Sequence, residues 1–138
     1  MERLPKQPSG IGNHATALDD NLIKELHDNN VKFNPENILR ISRASDGKIL
    51  FLEKGNTNAG LKHILDRHAE DFARVGISES QIPDVIIKAV SEGKVVGFQG
   101  KGNGRPIYET EFNGKIHRLA ITTGSNGFIV GANPTRVK

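Results

Sequence analysis

Apolar positions along the chain follow two regimes, and the change between them divides the sequence into a helical half and an extended half. Leu18, Leu22, Ile23 and Leu26 stand at i, i+4, i+5 and i+8, which predicts an amphipathic helix from Leu18 to Asn30, entered near Thr16 or Asp19 and stopped by Asn29-Asn30. An irregular stretch around Asn34-Pro35 leads to Lys48-Ile49-Leu50-Phe51-Leu52-Glu53, which reads as a buried strand behind the Asp46-Gly47 turn. Gly55-Asn56-Thr57-Asn58 breaks that strand, with Thr57 or Asn58 placed to cap a helix from Ala59 to about Val75. Leu61, Ile64, Leu65, His68, Phe72 and Val75 fall on one stripe of this helix, and Gly76 ends it. Ser78 opens another helix, Glu79 to Ser91, with Ile82, Val85, Ile86, Ala89 and Val90 in the same period and Gly93 beyond its end.

Past Gly93 the period shortens. Val95–Phe98, Arg105–Phe112, Lys115–Thr123 and Phe128–Ala132 are short runs separated by Gly-Asn-Gly, Asn113-Gly114 and Ser125-Asn126-Gly127, a pattern that predicts an antiparallel meander. Helices first and a meander afterwards make an α+β fold, N-terminal helices packed on a C-terminal antiparallel sheet of about four to five strands. Residues 1–16 hold two Pro and two Gly without a hydrophobic period and read as a linker or arm, leaving 17–138 as a single domain with its core at about 48–133.

Composition narrows the chemistry. A chain of 138 residues fits one core, and 36% hydrophobic with 25% charged residues lies in the globular range. The absence of cysteine excludes disulfide scaffolds, thiolate metal sites and thiol catalysis, so reactivity falls to His, Lys, Arg, Ser, Thr, Tyr and carboxylates. No window approaches the roughly 18 apolar residues of a membrane span, and MERLPKQPSG lacks a signal-peptide apolar stretch. The formal charge of +3 permits an anionic partner without demanding one.

The densest group of functional side chains is Lys62-His63-Ile64-Leu65-Asp66-Arg67-His68. His63 and Arg67, at i and i+4, share a flank, while His68 lies on the apolar stripe. His68 is either a core histidine with one hydrogen bond or a proton-transfer group facing a cleft between helix and sheet, with Arg67 as fixed charge for a phosphate. Zinc is disfavoured: His63 and His68 are five apart, about 140° around the helix, whereas the zincin helix needs i, i+4. The meander supplies Arg105, Tyr108, Glu109 and Glu111, then His117, Arg118, Thr122, Thr123 and Ser125; if Leu119 and Ile121 face the core, His117 and Thr123 join them and Arg118 and Thr122 face away. Small hydroxyls at a strand end suit an anion, although Thr is also an ordinary strand residue. The tip Gly100-Lys101-Gly102-Asn103-Gly104 lacks the ending of a phosphate loop and reads as a flexible turn beside an RNA backbone.

Gly60-Leu61-Lys62-His63-Ile64 through Arg67-His68, the helix ending near Ile82-Pro83, the strand Gly104-Arg105-Pro106-Ile107-Tyr108-Glu109 and the ending Ile121-Thr122-Thr123-Gly124-Ser125-Asn126-Gly127-Phe128-Ile129-Val130 together resemble C-terminal toxin domains of bacterial polymorphic toxins. More narrowly, they resemble contact-dependent growth inhibition toxins and related phage-encoded domains of the barnase/EndoU/colicin/RelE-like nuclease superfamily, over about residues 48–133. The resemblance implies a metal-independent ribonuclease without cofactor, often acting on transfer RNA and used in competition between bacteria. It maps the family's helix histidines onto His63 and His68, its basic and aromatic strand positions onto Arg105 and Tyr108, and its terminal hydroxyls onto Thr122, Thr123 and Ser125 as catalytic positions; the charges of this chain add Arg67 as a phosphate clamp and Lys62, Lys101 and Arg118 as RNA contacts. It also implies a small acidic cognate immunity protein, leaves open a host factor, and implies delivery as part of a larger exported protein into a target-cell cytoplasm. The alternative is a non-enzymatic interaction module, such as an immunity or adaptor protein, in which the same histidines only pack.

Overall fold

The computed structural model describes residues 20–44, 46–100 and 104–135. The expected arm at 1–16, the first turn at Leu18 and the tip with Lys101 lie outside the described residues. The fold is α+β: helix α1 (Asp20–Asp28), strands β1 (Ile38–Arg43) and β2 (Ile49–Glu53), helices α2 (Leu61–Arg74) and α3 (Ile82–Glu92), then β3 (Lys94–Gln99), β4 (Arg105–Phe112), β5 (Lys115–Thr123) and β6 (Ile129–Pro134). The last four form an antiparallel sheet in chain order, as the Asn-Gly punctuation predicts. Asn113 and Gly114, both at positive φ, make the β4–β5 turn.

One strand departs from expectation. Residues 38–43 pair antiparallel with β2 around the Asp46-Gly47 turn, where the sequence suggests irregular chain. A register shift between Ile38 and Arg40 breaks the period-2 signature, and Arg40 sits in the middle of the strand. Its charge is answered from a distance: Nε donates to Asp84 Oδ1 in the first turn of α3 at 2.8 Å.

Two apolar clusters meet across β2, every position of which is buried. Leu50 and Leu52 join the main core with Ile64 and Phe72 of α2, Val85, Ile86 and Ala89 of α3, and Leu119, Ile121, Ile129 and Ala132 of the sheet. Ile49 and Phe51 turn the other way, onto Leu22 and Leu26 of α1. The hairpin meets the sheet at β6: Phe51 N–H donates to the Gly127 carbonyl at 2.9 Å, and the Phe51 and Phe128 rings stand edge to face at 5.8 Å. At Gly127, with φ at 96°, any Cβ would collide with the Ile49 carbonyl, so this junction requires glycine.

Helix ends follow local chemistry. Asn30, at φ 58°, lies two residues past the end of α1, and Ser78 with Gln81 forms the capping box ahead of α3. At α2 neither Thr57 nor Asn58 is the cap. Asn56 Oδ1 instead accepts from the N–H groups of Asn58 and Ala59, and Gly60 is the N-cap, with its N–H donating to the Val130 carbonyl on the free edge of β6 at 3.0 Å. The start of α2 is thus hooked to the sheet. Only glycine fits there, because at φ 86° a Cβ on Gly60 would lie 2.8 Å from Gly55 Cα.

Candidate functional site

The loop that hooks α2 onto β6 also orients His63. Its Nδ1 lies 3.0 Å from the Thr57 carbonyl oxygen. A carbonyl only accepts, so Nδ1 carries the proton and donates, and Nε2 of the neutral ring is left as an acceptor. That nitrogen points to β6, where the ring edge lies 3.8 Å from the place a Cβ of Gly131 would occupy.

The strand register extends a row of side chains from this point. Gly131 is directly opposite Thr122. Ile107 is directly opposite Ala120, alternation along each strand puts Arg105 on the face of Ile107 and Thr122 on that of Ala120, and Arg105 is directly opposite Gln99. Residues directly opposed in an antiparallel pair project from the same face, so Gln99, Arg105, Thr122 and the His63 side of Gly131 share one face. It is the face away from α3, because Leu119, Ile121 and Ala132, which alternate with these positions, belong to the core.

This face is concave. Gln99 Nε2 donates to Thr135 Oγ1 at 2.8 Å, although β3 and the end of β6 are the two margins of the sheet. Three strand spacings of about 4.8 Å would hold them about 14 Å apart in a flat sheet. The sheet must curl to bring them within reach, and Ile107 and Ala120 lie buried beneath. Two amide oxygens in this region, Gln99 Oε1 and Asn133 Oδ1, are buried without a hydrogen-bond partner. Asn133 Nδ2 donates to the Pro134 carbonyl at 3.1 Å, which fixes the orientation of that amide. A lost partner of this kind costs about 1–3 kcal/mol.

The charges sort into free and occupied. Arg67, one turn beyond His63 on the same flank of α2, is exposed, and neither it nor Arg105 has an ion-pair partner among the described residues. Lys62 instead pairs with Asp66 at 3.3 Å, and Arg118 pairs with Glu109, its directly opposed neighbour, at 2.8 Å. His68 donates from Nδ1 to Asp71 Oδ2 at 2.9 Å, and Arg74 donates to the other oxygen at 2.7 Å. The His68 hydrogen bond, with that of Arg74, holds the Asp71 carboxyl below its ordinary value. Among the described residues no three His, Asp or Glu side chains gather to hold a metal ion.

The remaining candidates stand elsewhere. Tyr108, opposite Leu119, faces the helices and lines a cleft with Thr123, Asp46 and Lys48. Burial, assisted by the Asp46 carboxylate, pushes its phenol above 10.0. Ser125 is exposed at the turn before β6. His117 is buried and Arg118 and Thr122 face away from the core, as alternation from Leu119 predicts. The structure therefore sets His63 beside the sheet face that carries Arg105 and Thr122, with Arg67 one turn along the same flank of α2, and leaves His68, Tyr108, Thr123 and Ser125 outside that group.

No protein-family model matches the chain, and no curated protein matches it in sequence.

Gln99, Asn133, Gly131 and the Thr57 carbonyl join the site without notice from the sequence reading. The one available signal was Gly131 inside a strand, since such a glycine often marks close approach of another group. Among the described residues no helix is long and apolar enough to cross a membrane.

Proposed function

We propose that the chain is a metal-independent endoribonuclease whose reacting group is His63. The observation that carries this reading is the Thr57 hydrogen bond, which leaves Nε2 free beside Gly131, opposite Thr122 and on the sheet face that carries Arg105. In RNA cleavage of this kind the 2′-hydroxyl attacks the adjacent phosphate, forming a 2′,3′-cyclic phosphate and expelling the 5′-oxygen of the next nucleotide. His63 Nε2 exchanges a proton with one of those two oxygens, and solvent serves the other. Arg67 and Arg105 neutralise the phosphate, and the Thr122 hydroxyl donates to a non-bridging oxygen as charge builds. His68, bonded to Asp71 within α2, takes no part in the reaction in this reading.

Transfer RNA is the substrate implied by the toxin resemblance, and an acidic immunity protein over the concave face is the implied partner, with delivery into a competitor's cytoplasm as the setting. The test is incubation of the purified chain with total RNA in the presence of a metal chelator, followed by mapping of new ends. Cyclic-phosphate ends that vanish in His63→Ala and persist in His68→Ala support the proposal. A folded His63→Ala chain that cleaves like the parent overturns it. Intact RNA at high protein concentration favours the non-enzymatic interaction module instead.

A further inference from the structure

We propose that the outer edge of β3 docks an extended, acidic segment of a partner protein, which adds to the sheet as a further strand and seats an apolar side chain in the cleft beside it. This inference is independent of the ribonuclease reading. β3 ends the strand order of the sheet, and its outward backbone groups make no hydrogen bond among the described residues. Natural edges of this kind are blunted by charge, proline or cover, since they template pairing with another chain.

Beyond Lys94 at its start, the edge of β3 is apolar. Val95 is 47% and Phe98 61% exposed, among the few large hydrophobic side chains left in water. Three residues apart, they would project from opposite faces of a regular strand. The register shift between Val95 and Gly97 puts them on one side: Val95 opposes Tyr108 and Phe98 opposes Pro106, both on the helix-bearing face.

Behind Val95 opens a cleft of about 480 Å³ between the β1–β2 turn, the C-terminal end of α3 and the sheet. Leu50 and Val90, both buried, form its floor, and Tyr108 and Thr123 its wall. Such dimensions suit a large aliphatic or aromatic anchor. Two of its lining residues, Lys48 and Lys94, are exposed and pair with no carboxylate among the described residues; the acid at the cleft, Asp46, already accepts from the Lys48 backbone N–H at 2.9 Å. The surplus is positive, so the complementary strand is acidic. An RNA strand would meet the lysines and stack on Phe98 but would leave the strand's outward N–H and C=O groups unanswered. A peptide strand satisfies all of them, which is the physics of β-augmentation.

The probe is a random peptide display library panned on the full chain, the selected peptide then being synthesised and titrated calorimetrically. Acidic, β-branched sequences with one bulky apolar residue are expected. Binding should fall about tenfold or more in Val95→Ser/Phe98→Ser and in Lys48→Glu/Lys94→Glu, as it does when a hot-spot anchor is lost. It should fall similarly when alternate peptide amides are N-methylated, which removes ladder donors but not side chains. All four substitutions are at exposed positions, and thermal melts confirm that the variants remain folded. Selection of basic or uncharged peptides, binding indifferent to Val95 and Phe98, binding indifferent to N-methylation, or displacement by oligouridylate would each overturn the proposal.

Discussion

Helices α2 and α3 follow one another in the chain and share one core, yet they are built to opposite ends. α3 buries six of its 11 residues, Ile82, Pro83, Val85, Ile86, Ala89 and Val90, and is fastened to β1 by Arg40 and Asp84. α2 buries two of its 14, Ile64 and Phe72, and lies along the margin of β6, where Gly60 hooks onto the Val130 carbonyl. A helix that gives up most of its surface to packing has little left for chemistry. One docked at a sheet margin keeps a flank in solvent, and that flank holds His63 and Arg67. The difference teaches where to look for function: at the element whose burial is least and whose placement is most specifically tied down.

Substitutions test this division directly, beginning with the largest effect. His63→Ala should lower RNA cleavage about 100- to 10,000-fold, the range for a lost proton-transfer group, with circular dichroism unchanged. In α3 the loss should be stability instead. Ile86→Ala, at a fully buried position, should cost about 2–5 kcal/mol in urea unfolding. An activity loss in Ile86→Ala larger than its unfolded fraction explains would break the comparison.

Arg67→Ala and Arg105→Ala should each reduce kcat/KM about tenfold and flatten its dependence on salt, since both cations are free to meet phosphate. Lys62→Ala and Arg118→Ala, whose charges are already answered by Asp66 and Glu109, should change it much less.

Two titrations have smaller effects. Tyr108 is the one tyrosine of the chain, so alkaline absorbance titration follows a single phenol, and its midpoint should lie above 10.0. A phenol pushed up in the folded state contributes stability that is full below its unfolded value and lost as pH rises through the folded one. Tyr108→Phe should remove that alkaline loss. Asp71, held low by His68 and Arg74, works in the other direction: its contribution is present above the ordinary value of 3.8 and is lost as pH falls through the lowered one. Asp71→Asn should therefore be slightly less stable than the parent at neutral pH and match it in strong acid.

Much of the fold was legible because local rules suffice for it. The 3.6 period of Ile82 to Val90, the Ser78 cap and the Asn113-Gly114 turn each rest on neighbours within a few residues, and the structure has them in place. Strand β1 was not legible, since a bulge disrupts its alternation and the partner of Arg40 is 44 residues away. The stripe on α2 was over-read at Val75, which is exposed where the chain leaves the helix toward Gly76.

The candidate site divides along the same line. That His63 and His68 cannot face one target follows from their five-residue spacing, which any α-helix converts into about 140°. Likewise, alternation about Leu119 and Ile121 places Thr122 and Arg118 away from the core without knowledge of any partner strand. Which histidine meets the sheet is a different kind of fact. It depends on Gly60 binding the margin of β6, on the Thr57 carbonyl holding Nδ1, and on the ring edge lying beside Gly131. The first and last of those contacts join residues about 70 positions apart, where periodicity within one element carries no information, and only the assembled sheet and helix bring them together.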